Sequence, residues 1–157
     1  MTIAGANRAD SGPMCKRRRS GLLVSRLCLG TMTFGTDWGW GAPKEASYAI
    51  LNAYLEAGGN FLDIADGYTN GTSEIIIGDF LAETKRRDEV VLVTKFSFAT
   101  RPGDPNSGGN GRKHVYSALE GSLRRLKTDT LLERRYQKFR NQGQFIEAAT
   151  QGAKVAG

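Results

Sequence analysis

Short apolar runs alternate along this chain with longer stretches whose apolar positions recur at helical spacing. The short runs, residues 27–31, 60–64 and 90–94, read as strands. A first helix is expected over 43–57, with Pro43 suited to its opening turn and Ala46, Ile50, Ala53, Tyr54 and Ala57 on its apolar face. Gly58 and Gly59 end it. Asn70 and Gly71 make a turn, after which Thr72 or Ser73 caps a second helix running to about Glu83. Ile76, Ile77, Phe80 and Leu81 form its stripe, although Ile75, Ile76 and Ile77 alone would equally suit a strand. A polar loop rich in Gly, Pro and Asn fills 97–111, and a third helix is expected over 112–126. Val115, Ala118, Leu119, Leu123 and Leu126 mark its inner face.

The three strands are continuously apolar, the pattern of parallel strands covered on both faces. Strands alternating with helices build βαβ units. Two architectures compete, an open doubly wound sheet and a closed eightfold barrel. The first favours a GxGxxG turn after its first strand, and the stretch from Gly30 to Gly35 is not one. The second gathers reactive residues at the C-terminal ends of several strands, where Thr31, Asp63 and Lys95 fall. The expected fold is therefore α/β: a partial (β/α)8 barrel of about three strand–helix units. Residues 1–13 read as a flexible leader and 14–129 as the partial barrel. In 130–157, Leu132, Tyr136 and Phe139, then Phe145, Ile146 and Ala149, recur at helical spacing, and that tail is expected to be helical with a break near Gly143.

Composition adds few constraints. The chain has 157 residues, one domain's worth, and its 39% hydrophobic residues suffice for a packed core. The net charge of +6 comes from Lys and Arg spread over several segments, so no nucleic-acid partner is expected. Lys16 to Arg19 read as a solvated strand edge ahead of a nuclear signal. No apolar run approaches the roughly 20 residues of a membrane span, and the first residues lack a signal-peptide core. Cys15 and Cys28 show no metal spacing, so no metal site is expected. Cys28 sits in an apolar run and is expected to be a buried thiol, which suits a reducing cytoplasm.

The candidate chemistry lies in three polar residues at the ends of apolar runs. They are Asp63 and Tyr68 in Asn60-Phe-Leu-Asp-Ile-Ala-Asp-Gly-Tyr68, and Lys95 after Val90-Val-Leu-Val-Thr94. A phenol titrates near pH 10 and is a poor acid at neutrality. A neighbouring ammonium favours the phenolate, and a carboxylate holds that ammonium charged and in place. Such a phenol can protonate an alkoxide as hydride reaches a carbonyl. Each residue also has an ordinary use: a strand-end Asp caps a turn, a Tyr packs in a core, a Lys reaches to solvent. Trp38, Trp40, Phe96 and Phe98, in the loops after the first and third strands, either line an apolar substrate mouth or pack those loops. The single histidine, His114, stands at the start of the third helix, where a polar residue is expected to face water and take no part in catalysis.

Residues 20–35, 59–74, 91–96 and 111–126 together resemble the N-terminal part of the aldo-keto reductase family. The likeness runs from Ser20 to about Asp129, nearest to the bacterial and fungal members related to the potassium-channel β-subunit branch. It implies a (β/α)8 barrel and NADP(H)-dependent reduction of small aldehydes and ketones. The family's motif aspartate maps onto Asp63, its proton-donating tyrosine onto Tyr68 and its lysine onto Lys95. Gly30, Thr31 and Met32 map near the nicotinamide, which Asp63 also borders. The spacing to Tyr68 favours Asp63 over Asp66 as the family carboxylate and leaves Asp66 as a loop residue.

The likeness stops after Lys127-Thr-Asp129. There the family continues with a Tyr-Ile-Asp-Leu-Tyr strand and then a histidine, whereas here Thr130-Leu-Leu-Glu-Arg-Arg-Tyr136 follows. On this reading the chain is a truncated member, expected to turn over little alone because the histidine and the later cofactor loops have no counterpart. The alternative is a non-catalytic fragment or interaction protein, pairing through exposed barrel edges with itself or with an intact relative.

Overall fold

A computed structural model describes Cys15, Lys16 and residues 21–128. The expected leader, Arg17 to Arg19 and the helical tail lie outside the described residues. Two short strands, β1 (Cys15–Lys16) and β2 (Leu23–Val24), pair antiparallel. The first residue of the basic run, Lys16, does lie in a strand.

The remainder is one stretch of a parallel (β/α)8 barrel. Strands β3 (Leu29–Gly30), β4 (Phe61–Asp63) and β5 (Val91–Val93) lie side by side in that order. Helices α1 (Lys44–Glu56) and α2 (Thr72–Thr84) form the two crossovers, and α3 (Arg112–Arg125) follows β5. The register sets Leu29 beside Leu62, Leu62 beside Leu92 and Asp63 beside both Gly30 and Val93. Pairing continues past the strands. Thr31 N–H donates to Asp63 O at 3.1 Å, Ile64 N–H to Val93 O at 2.8 Å and Asp66 N–H to Lys95 O at 2.9 Å. The three strand ends are thereby held level.

The core lies between sheet and helices. Leu62 and Ile64 pack with Leu51, Leu55, Ile76, Ile77, Phe80, Leu81, Val90 and Leu126. Side chains alternate across a strand, so Phe61 and Asp63 point to the other face. That face is only half-covered, with Phe61 and Val91 intermediate and Val93 exposed. Continuous apolarity had implied burial on both sides; among the described residues only the helix side is buried. Cys28 is likewise exposed, not buried as expected. Its neighbour Leu29 packs on the core, and alternation sends Cys28 the other way.

Helical spacing located all three helices, chose the wrong face on α1 and included one exposed residue on α3. In α1 the buried residues are Ser47, Leu51 and Leu55, while Ala46, Ile50, Ala53 and Ala57 are exposed. Both stripes fit the 3.6-residue period, and the bulkier leucines gain more from burial. Of the expected α3 face, Ala118 and Leu126 are buried, Val115 and Leu123 half-buried and Leu119 exposed, while His114 and Ser122 are buried as well. Small residues on that face let α3 approach α2 closely. The stripe of Ile76, Ile77, Phe80 and Leu81 in α2 is buried as expected, and the isoleucine triplet is helical. Its cap differs. Gly71 holds the N-cap position at φ 95°, and the Thr69 hydroxyl, rather than Thr72 or Ser73, accepts the Ser73 N–H at 3.1 Å.

The α2–α3 approach is tightest at Gly78. A Cβ there would run into the Arg125 carbonyl oxygen and stand 2.9 Å from Leu126 Cα. Both obstacles are main chain, so relief requires the helices to separate. Gly→Ala inside a helix ordinarily stabilises by roughly 0.5–1 kcal/mol. Here the overpacking is expected to reverse the sign, with Gly78→Ala losing about 2 kcal/mol. A urea midpoint equal to or above that of the parent chain would contradict this contact.

Candidate active site at the strand ends

Asp63 projects from the last residue of β4 onto the uncovered face. Val91, Val93 and Lys95 alternate onto the same face, which sets Lys95 diagonally beyond Asp63. The Lys95 Nζ donates to Asp63 Oδ1 at 2.7 Å. Tyr68 opens a short 3-10 turn, Tyr68–Gly71, and its ring lies under the same ammonium, 4.9 Å from Nζ to the centroid. The three residues named from sequence therefore meet. Burial works to lower the Lys95 pKa, but hydrogen bonds with the Asp63 carboxylate and the Tyr68 hydroxyl outweigh it. The net value is raised above the usual lysine range. A raised amine stays charged below its folded pKa and loses its ion pair only as pH climbs through that value, so the ammonium persists at neutrality.

The residues mapped near the cofactor divide. Gly30 and Met32 are exposed, and a Cβ added at Gly30 would meet nothing within 4 Å. Thr31 is wholly buried. Its Oγ1 donates to Asp63 O at 3.1 Å, and Ser73 Oγ donates to Thr31 O at 2.9 Å. Its side chain ties β3 to β4 and α2. Another tie runs from Thr69 Oγ1 to Phe34 O at 2.5 Å, fixing the Tyr68 turn to the loop after β3. Trp38 and Trp40 stand in that loop with ring centroids 5.5 Å apart, and both are exposed. Phe98 is also exposed, whereas Phe96 rests partly on His114, 5.8 Å between centroids.

Sequence reasoning missed a second layer of polar residues behind the rim. Glu74, fully buried, accepts from Thr94 Oγ1 at 2.7 Å through Oε1 and from Arg125 Nε at 2.7 Å through Oε2. It joins α2 to α3 and to the residue preceding Lys95. Its signal was present: Glu74 shares the apolar stripe of Ile77 and Leu81, and Arg125 continues the spacing of Ala118 and Ser122. One charge of each sign on two facing buried stripes marks a pair.

Asp66 and His114 complete this layer, and His114 differs from expectation. Asp66 is a loop residue, as read, but only 4% exposed, and His114 is 2% exposed instead of solvated. Burial chiefly raises the Asp66 pKa, and the Glu74 carboxylate adds to it. Arg125, His114 and the Gly67 N–H act in the opposite sense.

The Aldo/keto reductase family model matches residues 26–131. Norsolorinic acid reductase B of Aspergillus parasiticus is 39% identical over 133 residues, covering 76% of this chain and 35% of that protein. The aryl-alcohol dehydrogenase [NADP(+)] of Phanerodontia chrysosporium is 38% identical over 120 residues, covering 69% and 31%. Among solved structures, the holo form of an aldo-keto reductase from Bacillus halodurans superposes with a TM-score of 0.60 at 32% identity. It is matched over 74% of this chain and 37% of its own. The chain belongs to the aldo/keto reductase family. It spans about a third of the length of the relatives just described.

Proposed function

We propose that this chain carries the proton-donating part of an NADP(H)-dependent carbonyl reductase site, with Tyr68 as the acid. The observation that carries this reading is the Lys95 ammonium between the Asp63 carboxylate, at 2.7 Å, and the Tyr68 ring, at 4.9 Å. Lys95 stabilises the negative charge that develops on the phenol oxygen as the proton leaves. Asp63 holds Lys95 in place and keeps it charged. The open space at Gly30, with Met32 and Asp63 beside it, fits a planar ring laid against the strand ends. When bound, a reduced nicotinamide supplies hydride to the carbonyl carbon. Trp38, Trp40 and Phe98 give the mouth an apolar, aromatic rim suited to a small aryl carbonyl, in keeping with relatives named as aryl-alcohol dehydrogenases. A cytoplasmic setting suits this chemistry.

Among the described residues three strands of the barrel frame this site on one side only, and slow turnover is expected of them. The test is NADPH oxidation by the purified chain with a reactive aromatic aldehyde, alongside NADPH titration of Trp38 and Trp40 fluorescence. An aldehyde-dependent rate above the no-protein background supports the reading. Neither rate nor quenching at millimolar NADPH would end it.

A second reading is a non-catalytic interaction protein. It is favoured by β3 and β5, each of which has one strand neighbour among the described residues. Such edges pair readily. Concentration-dependent sedimentation of the chain, without NADPH quenching, would favour it.

A further inference from the structure

We propose that Asp66 and His114 are a proton-sharing pair that positions the Lys95 main chain, so that the seating of Lys95 beside Tyr68 follows pH. This rests on Lys95 belonging to the acid group.

The geometry acts on Lys95 from two sides. The Asp66 N–H donates to the Lys95 carbonyl at 2.9 Å. The His114 ring packs on Phe96, the next residue. Both side chains are more than nine-tenths buried, and each has an unsatisfied polar atom, Asp66 Oδ2 and His114 Nε2. Buried polar atoms are rarely left unpaired, because each costs the full loss of its hydration.

The surrounding charges leave these two for each other. From α2, Glu74 has both oxygens occupied, by Thr94 and Arg125. From α3, Arg125 directs its Nε at Glu74, and their charges offset. Asp63 and Lys95 form their own pair on the other face of the sheet, beside Tyr68. Asp66 is therefore a buried carboxylate whose remaining neighbour able to take up or release a proton is His114, close enough to act on its titration. An uncompensated buried carboxylate is costly. One shared proton removes that cost, either as an Asp66 hydroxyl facing Nε2 or as a His114 N–H facing Oδ2. Neither atom has a hydrogen-bond partner in the structure, so sharing the proton requires a side-chain rotation or one bridging water. When that proton is lost, a bare charge faces a lone pair in a low dielectric, and the 64–68 and 94–98 segments loosen.

The linkage has a definite sign. Asp66 binds its proton more tightly in the folded chain than in the unfolded one, so stability falls as pH rises through its folded pKa and recovers below it.

The test uses the full chain and no substrate. Exchange of the Asp66 amide, corrected for its intrinsic rate, is followed against pH together with the Asp66 carboxyl carbon resonance. Protection is expected to fall about tenfold through the carboxyl midpoint. In Asp66→Asn a side-chain amide still donates to Nε2 but does not titrate, so protection should stay high and flat. His114→Phe keeps a ring on Phe96 without the nitrogen. It should lower protection at every pH and move the Asp66 midpoint upward. Protection in the parent chain that does not change across the Asp66 titration would overturn the proposal, as would an unmoved midpoint in His114→Phe. If that variant fails to fold, the parent chain and Asp66→Asn decide. None of these readouts needs turnover, so an inactive chain with these titrations would discard only the catalytic reading.

Discussion

Glu74→Ala is expected to lower the stability of the chain by about 3 kcal/mol, as the loss of one partner of a buried ion pair does. Glu74 is fully buried and satisfied on both oxygens, so its removal breaks two ties and leaves a void between α2 and α3. The partner left behind decides the ranking. Arg125 retains about 29% side-chain exposure and can turn its guanidinium to water, which keeps Glu74→Ala near the low end of that range. The reverse deletion, Arg125→Met, strands a wholly buried carboxylate with only Thr94 and should cost about 4 kcal/mol. Glu74→Gln preserves shape and hydrogen-bonding capacity and should lose roughly half as much as alanine. Against a total of about 5–15 kcal/mol for a domain, each is a large fraction. Urea midpoints of the three variants check the order. Glu74→Ala within about 0.5 kcal/mol of the parent, the range of an ordinary surface change, would mean the pair does not hold the helices. Thr94 adjoins Lys95, so the same substitution should also disorder the acid group.

The elements were legible because parallel barrels write strands as apolar runs and helices at 3.6-residue spacing, and both survive in a single sequence. The helix faces were harder. In α1 two stripes have equal periodicity, and only the space beneath the helix selects Leu51 and Leu55 over Ile50 and Ala53. In α3 the buried surface includes His114 and Ser122 beside Ala118, two polar positions that no hydrophobicity count would choose. The misreading of His114 follows from its place on the helix: a first-turn position is solvated on most helices, and the ring packed against it, Phe96, comes from the loop after β5.

The site was legible to a different degree. Asp63, Tyr68 and Lys95 stand at or just past the ends of β4 and β5, so recognising the strands also placed this cluster. The family motif then distinguished Asp63 from Asp66. What escaped was everything that supports these residues. Thr31, Thr69, Ser73 and Glu74 act through hydrogen bonds between segments 20 to 42 residues apart, as from Thr94 to Glu74 and from Ser73 to Thr31. No local pattern encodes such distances. A charge on an apolar helical stripe was the one available clue, and it pointed correctly to Glu74.

Tyr68→Phe should reduce aldehyde-dependent NADPH oxidation to the no-protein background, a loss of order 10²–10⁴ where the parent rate allows it to be measured. The substitution is clean because the ring stays. The Lys95 ammonium sits 4.9 Å from the ring centroid, and phenylalanine still offers it an aromatic face. The backbone bond from the Tyr68 N–H to Ala65 O at 3.2 Å is also untouched. Only the transferable proton and its oxygen are removed, so the urea midpoint should stay within about 0.5 kcal/mol of the parent. Lys95→Met differs in kind. It leaves the phenol in place but withdraws the charge that stabilises the departing phenolate, and it strands Asp63, whose Oδ1 receives the Lys95 bond. Its rate should fall less than that of Tyr68→Phe, because the proton and its oxygen remain. Asp63→Asn keeps an acceptor for Lys95 and should be the mildest of the three. A Tyr68→Phe chain that oxidises NADPH as fast as its parent would show that water or another group delivers the proton. Asp63, Tyr68 and Lys95 would then be a structural cluster at the rim of a partial barrel.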